Sequence, residues 1–163
     1  AWDGLPRPVF LYAGRIAVEK NIEAFLALDL PGSKAVVGDG PQRAALQARY
    51  PDAHFTGRLE NGKLAAAYAG ADAFVFPSRT DTFGLVLLEA LASGTPVAAF
   101  PVTGPLDVIG PAPEPVGALS EDLRDACLQA LAADRATCRD YAEGWSWEAC
   151  AARFRETLTP ATA

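Results

Sequence analysis

The chain of 163 residues has no methionine, a single histidine and only three cysteines. Cys127, Cys138 and Cys150 fall in the C-terminal third at no metal-ligand spacing, which leaves no Cys/His cluster for a metal and points to small packing residues kept reduced in a cytoplasmic setting. His54, in the run Ala53-His54-Phe55-Thr56, reads as a strand or edge residue rather than a proton-transfer group, because a general base must reach the reacting atom. Cations are scarce: 14 Lys and Arg against 20 Asp and Glu give a net charge of -6. This balance argues against a nucleic-acid partner, since a phosphate backbone is held by surplus cations, so any anionic ligand must be met by local ones. No apolar run reaches the roughly 18 residues a membrane span needs, and no charged-then-apolar leader opens the chain. Low-complexity runs and fixed-period repeats are also missing. The start, with Pro6 and Pro8, reads as a cut at an interdomain linker of a longer protein.

What is present suffices for one globular domain over residues 1–163, since half of the residues are hydrophobic. Short apolar runs alternate with helical spacing. Val9 to Ala13 closes on Gly14, and Ile22, Phe25, Leu26 and Leu30 follow three and four apart. The unit recurs: Ala35-Val36-Val37 with a helix from Pro41, His54-Phe55-Thr56 with a helix through Leu64 and Tyr68, and Ala73 to Phe76 with a helix starting near Asp81. Val97 to Phe100 is the next strand; after Val116-Gly117-Ala118 the alternation gives way to helices near 121–133, 134–143 and 146–158, the last capped by Ser146. Strands apolar on both faces belong to a parallel sheet covered by helices. The expected fold is therefore α/β, a Rossmann-like doubly wound sheet of about six strands with a helical C-terminal tail.

In such sheets ligands bind where the strands end, so the loops at Gly14, Gly38, Gly57 and Pro77 matter most. The first runs Gly14-Arg15-Ile16-Ala17-Val18-Glu19-Lys20-Asn21. Arg15 offers a planar fork of donors and Lys20 a point charge, a pair suited to a diphosphate. Lys20 at or near a helix start conflicts with the dipole unless an anion sits there. Both are equally consistent with solvated surface charges. Gly38-Asp39-Gly40-Pro41 is a tight strand-to-helix turn that lets backbone approach a ligand, and Arg43 in place of a third glycine removes a dinucleotide fingerprint. From Leu85 to Ala92 every residue but Glu89 is apolar, which predicts a buried helix whose carboxylate needs a hydrogen-bonding partner such as a ligand hydroxyl pair, or an Arg. Asp81, eight residues earlier and about 12 Å away along a helix, is too far to share one atom with Glu89; it either caps the helix or grips the other end of an extended ligand. Thr82, Phe83 and Gly84 present amides between the two.

Gly14-Arg15 with Glu19-Lys20-Asn21, Gly38-Asp39-Gly40-Pro41, Phe55-Thr56-Gly57, Ala71-Asp72-Ala73, Phe76-Pro77-Ser78 and Phe83-Gly84 through Glu89 to Pro96, in this order, resemble the family 4 retaining glycosyltransferases of GT-B fold over nearly the whole chain. The resemblance implies the C-terminal, donor-binding half of a metal- and cofactor-independent hexosyltransferase. In that reading Arg15 and Lys20 bind the diphosphate of a UDP- or GDP-sugar, and Gly14, Gly38 and Gly40 count among the substrate-binding residues. Asp81, counted with Arg15 and Lys20 as catalytic, and the Phe83-Gly84 amides meet the sugar, Glu89 holds the ribose, Leu59 lies against the base, and Thr82 and Leu85 are further substrate-binding residues. Asp81 stands where the family has a glutamate, and Val102-Thr103-Gly104-Pro105-Leu106-Asp107 matches its usual downstream turn only in part. Ser146-Trp147-Glu148 matches the start of a helix that reaches back to the N-terminal half. That half is absent from this chain and is expected to bring the lipid or saccharide acceptor, with the full-length enzyme cytoplasmic or associated with a membrane. Two other readings fit the same loops: a nucleotide-sugar epimerase of related fold, and a non-catalytic nucleotide-sugar-binding module.

Overall fold

Every residue of Val9–Ala13 is buried, and this strand, β1, lies in the middle of the sheet. The computed structural model describes residues 1–80 and 84–145. The other strands are β2 (Ser33–Val37), β3 (His54–Gly57), β4 (Ala73–Phe76), β5 (Val97–Ala99) and β6 (Gly117–Leu119). They pair in parallel throughout, in the order β3-β2-β1-β4-β5-β6. The helices are α1 (Ile22–Leu26), α2 (Arg43–Arg49), α3 (Asn61–Gly70), α4 (Leu85–Ala92), α5 (Thr103–Ile109), α6 (Leu123–Ala130) and α7 (Arg135–Glu143).

Alternation along β1 divides the core. Val9, Leu11 and Ala13 face a layer that includes Ala67 and Tyr68 of α3, Leu87 and Leu91 of α4, Val108 of α5 and Cys138 of α7. Phe10 and Tyr12 face Ile22 and Phe25 of α1, Leu46 of α2 and Ala126 and Cys127 of α6. Both faces are thus covered, as the apolar runs require. The edges are wetter: His54 is exposed and β6 is only half-buried.

Several boundaries differ from the expected ones. α1 stops at Leu26, short of Leu30, because Pro31-Gly32 follows and the Lys34 Nζ donates to the carbonyls of Leu26 and Leu28. α2 begins at Arg43, not Pro41. Thr103–Ile109 forms a helix where the sequence pattern suggests only a turn: Pro105 occupies its first turn, where a missing N–H costs no helical bond. α4 begins at Leu85 rather than near Asp81, since the non-helical backbone of Gly84 (φ -96°, ψ 88°) interrupts helical geometry there. Nor is α4 buried all round: it buries Leu87, Ala90 and Leu91 but leaves Leu85 60% exposed. The helix expected over 146–158 lies outside the described residues. Among the described residues no helix is long and apolar enough to cross a membrane.

Candidate functional site

Strand order reverses between β1 and β4, the switch point at which an open sheet leaves a crevice beyond its strand ends. The loop leaving β1 lies along the loop leaving β2. The Gly14 amide donates to Val37 O (3.0 Å), Ile16 N to Asp39 O (2.9 Å) and Gln42 N to Ile16 O (3.1 Å). Glycine is needed at this seam: Gly38 has φ +137°, and a Cβ there would lie 1.8 Å from the Gly14 carbonyl oxygen.

A second set of bonds crosses the crevice to β4. Asn21, with left-handed backbone (φ 53°), donates through Nδ2 to Pro77 O at 3.0 Å. Ser78, buried, and Thr80 each place a hydroxyl 3.5 Å from Glu19 O. The three loops therefore share one hydrogen-bonded frame.

Beyond β1, β2 and β3 lies a cleft of about 550 Å³, lined by Gly14, Arg15, Gly38, Gly40, Leu59, Tyr68 and Glu89 among others. A second hollow, about 300 Å³, shares Gly14, Arg15 and Val86 with it and adds Lys20, Gly84 and Leu85. The expected residues Gly14, Arg15, Lys20, Gly38, Gly40, Leu59, Gly84, Leu85 and Glu89 thus surround two adjoining hollows. Asp81, Thr82 and Phe83 lie outside the described residues.

Arg15 carries an exposed side chain, 3.5 Å from Glu19 Oε1, a long, solvated pair that restrains it little. Lys20 is half-buried and ends a 3-10 turn, Val18–Lys20, two residues before α1. Lys20 thus directly precedes Asn21, the N-cap of α1, near a helix start as expected, although it also closes the preceding 3-10 turn.

Glu89 departs further from expectation. It is exposed on α4, so no burial penalty forces a ligand upon it. It does have a partner: the Tyr68 hydroxyl donates to Glu89 Oε2 at 3.0 Å. Burial, then the Glu89 charge and this hydrogen bond, push the Tyr68 phenol above its ordinary range and keep it a neutral donor. Tyr68, Arg58 and Asp39 all line the cleft without having been singled out in sequence. For Tyr68 a signal existed, since a buried phenol normally finds a polar partner. His54 lines neither hollow; it is exposed, its ring edge-on to buried Trp2 at 5.9 Å. Arg79 stacks on Phe100 at 3.7 Å and pairs with Glu121 at 3.1 Å, away from both hollows.

A guanidinium, an ammonium, a carboxylate and half-buried glycine backbone around an apolar wall have the chemistry to suit an elongated ligand with anionic and hydroxyl-bearing parts. Comparison with known proteins identifies the family. The family described as glycosyl transferases group 1 matches residues 7–133. A GDP-mannose-dependent alpha-mannosyltransferase of Mycolicibacterium smegmatis is 44% identical over 112 residues, covering 68% of this chain and 30% of the relative. Sulfoquinovosyl transferase SQD2 of Arabidopsis thaliana is 36% identical over 166 residues, covering 91% of the chain and 32% of the relative. The chain therefore spans about a third of the length of these relatives. Among solved structures, sucrose-phosphate synthase from Thermosynechococcus elongatus superimposes with a TM-score of 0.72 at 29% identity, over 91% of this chain and 44% of that one. The lipopolysaccharide outer core galactosyltransferase WaaB, at 19% identity, shares the fold with a TM-score of 0.75 over 94% and 49%. From the six-stranded switch-point sheet, the ordered glycine loops and these likenesses, the chain belongs to the group 1 glycosyltransferases, as the C-terminal, Rossmann-like half of a GT-B fold.

Proposed function

We propose that this chain is the donor-binding domain of a retaining, metal-independent hexosyltransferase that uses a UDP- or GDP-sugar, the lipid or saccharide acceptor being met by an N-terminal domain. The observation that carries the reading is the convergence of Arg15, Lys20 and Glu89 on adjoining hollows at the switch point. Support for a nucleotide-sugar donor also comes from the GDP-mannose-dependent relative at 44% identity. In this reading the diphosphate lies over Gly14 between Arg15 and Lys20, the ribose hydroxyls meet Glu89, and the base rests on Leu59. The sugar faces Gly84 and Leu85.

Catalysis by this half is stabilisation of the leaving group. As the bond from the anomeric carbon to the diphosphate oxygen breaks, its electron pair stays on the phosphate, and the acceptor oxygen bonds to carbon as its proton passes to that departing phosphate oxygen. Arg15 and Lys20 offset the developing charge, an effect worth several kcal/mol in a site closed to water. Held alone, this domain binds donor without transfer. In the full-length enzyme, Arg15→Ala or Lys20→Ala should lower kcat by on the order of 100-fold or more in a radiolabelled-donor assay; turnover at the wild-type rate would falsify the assignment. In the same assay the anomeric configuration of the product tests retention, chelator tests metal independence, and calorimetric titration with GDP and UDP separates the two bases.

A further inference from the structure

A glutamate on the exposed side of a helix has several rotatable bonds to lose when it binds a ligand. Around Glu89 the fold has already removed part of that freedom. Tyr68, at the far end of α3, is 2% exposed, and its ring packs on Phe74 with centroids 5.4 Å apart. Its backbone carbonyl accepts a hydrogen bond from the Thr95 hydroxyl at 2.6 Å, and Thr95, fully buried, follows the C-terminus of α4. Its phenol donates to Glu89 Oε2 at 3.0 Å. Two bonds thus fasten α3, one to the turn after α4 through its backbone and one to α4 itself inside the cleft that both side chains line. The other carboxylate oxygen, Oε1, has no partner among the described residues.

We propose that Tyr68 is a positioning residue: by tying one oxygen of Glu89 to the buried core, it presets the second to receive the vicinal hydroxyl pair of the ligand's ribose. The inference rests on the donor-binding reading and adds to it a residue that touches no ligand atom. A neutral phenol suits the role, because it donates to the carboxylate without drawing the ligand's phosphates toward itself.

The test compares a ribonucleoside diphosphate with its 2′,3′-dideoxy counterpart by calorimetry on the full-length enzyme. Wild type should prefer the ribo form, and Glu89→Ala should erase that preference. Tyr68→Phe keeps the ring and its packing but should weaken the ribo form about tenfold, the size of a lost charge-assisted hydrogen bond, while leaving dideoxy affinity unchanged. The dideoxy arm reports an intact fold. Adding Tyr68→Phe to Glu89→Ala should cost nothing more. If Tyr68→Phe retains the ribo preference that Glu89→Ala loses, the positioning role is overturned and the ribose contact stands. If wild type shows no preference, the ribose contact and the positioning role fall together. A parallel loss of ribo and dideoxy binding in Tyr68→Phe assigns Tyr68 to packing alone and also overturns the proposal.

Discussion

Asn21 shows how one side chain can make a local geometry and a long-range tie at once. Its left-handed backbone links the 3-10 turn to α1, and its amide crosses the crevice to Pro77 O. Asparagine tolerates that conformation where most side chains lose about 1–2 kcal/mol. Asn21→Ala should therefore destabilise the fold by roughly 2 kcal/mol, combining backbone strain with the lost hydrogen bond, whereas Asn21→Gly should recover the backbone part and lose about 1 kcal/mol. Urea unfolding of the two variants separates the contributions; equal midpoints for both would show that the backbone conformation carries no strain. Lys20, next in line, depends on the same turn, so donor affinity should fall in both variants.

Between elements, the seam joining the β1 and β2 loops is the most demanding contact of the site. Gly38→Ala sets a methyl against the Gly14 carbonyl and should cost on the order of 2–4 kcal/mol and most of the donor affinity. Gly62→Ala, on α3 where a Cβ meets nothing within 4 Å, should instead stabilise by up to about 1 kcal/mol and leave binding alone. Thermal unfolding with and without nucleotide reads both, and a well-folded, nucleotide-binding Gly38→Ala protein would contradict the close approach. The glycine loops and the central strands could be read from the sequence because apolar runs and glycine punctuation are local properties. The helix at Thr103–Ile109 could not: Gly104 and Pro105 look like a turn until their place in a first helical turn is known. The exposure of Glu89 was equally hidden, since an almost wholly apolar helix does not reveal which of its faces borders a cleft. Tyr68 and Glu89 lie 21 residues apart and meet only through packing of α3 on α4.

For the molecule as a whole, the buried thiols set a limit on the alkaline side. Burial pushes Cys127 up to about 12 and Cys138 up to about 11 from an ordinary value of 9.0. A thiol raised in the folded state contributes stability that is full below the unfolded value and is lost as pH climbs toward the folded one. Unfolding free energy should thus hold steady to about pH 9 and then fall through about pH 11, by at most about 1.4 kcal/mol per pH unit for each thiol. Denaturant midpoints across this range, with Cys127→Ala and Cys138→Ala showing a shallower decline, check the sign; a stability that rises above pH 9 would refute it. The strand order carries a separate consequence. Phe10 pairs with Ala73 and Leu11 with Phe74, so the crevice exists only once segments more than 60 residues apart have met. Nucleotide capture during refolding is consequently a late event, because the non-local closure of β1 on β4 must precede it and forms slowly compared with any helix. Neither half of the chain, however well structured by itself, owns the site.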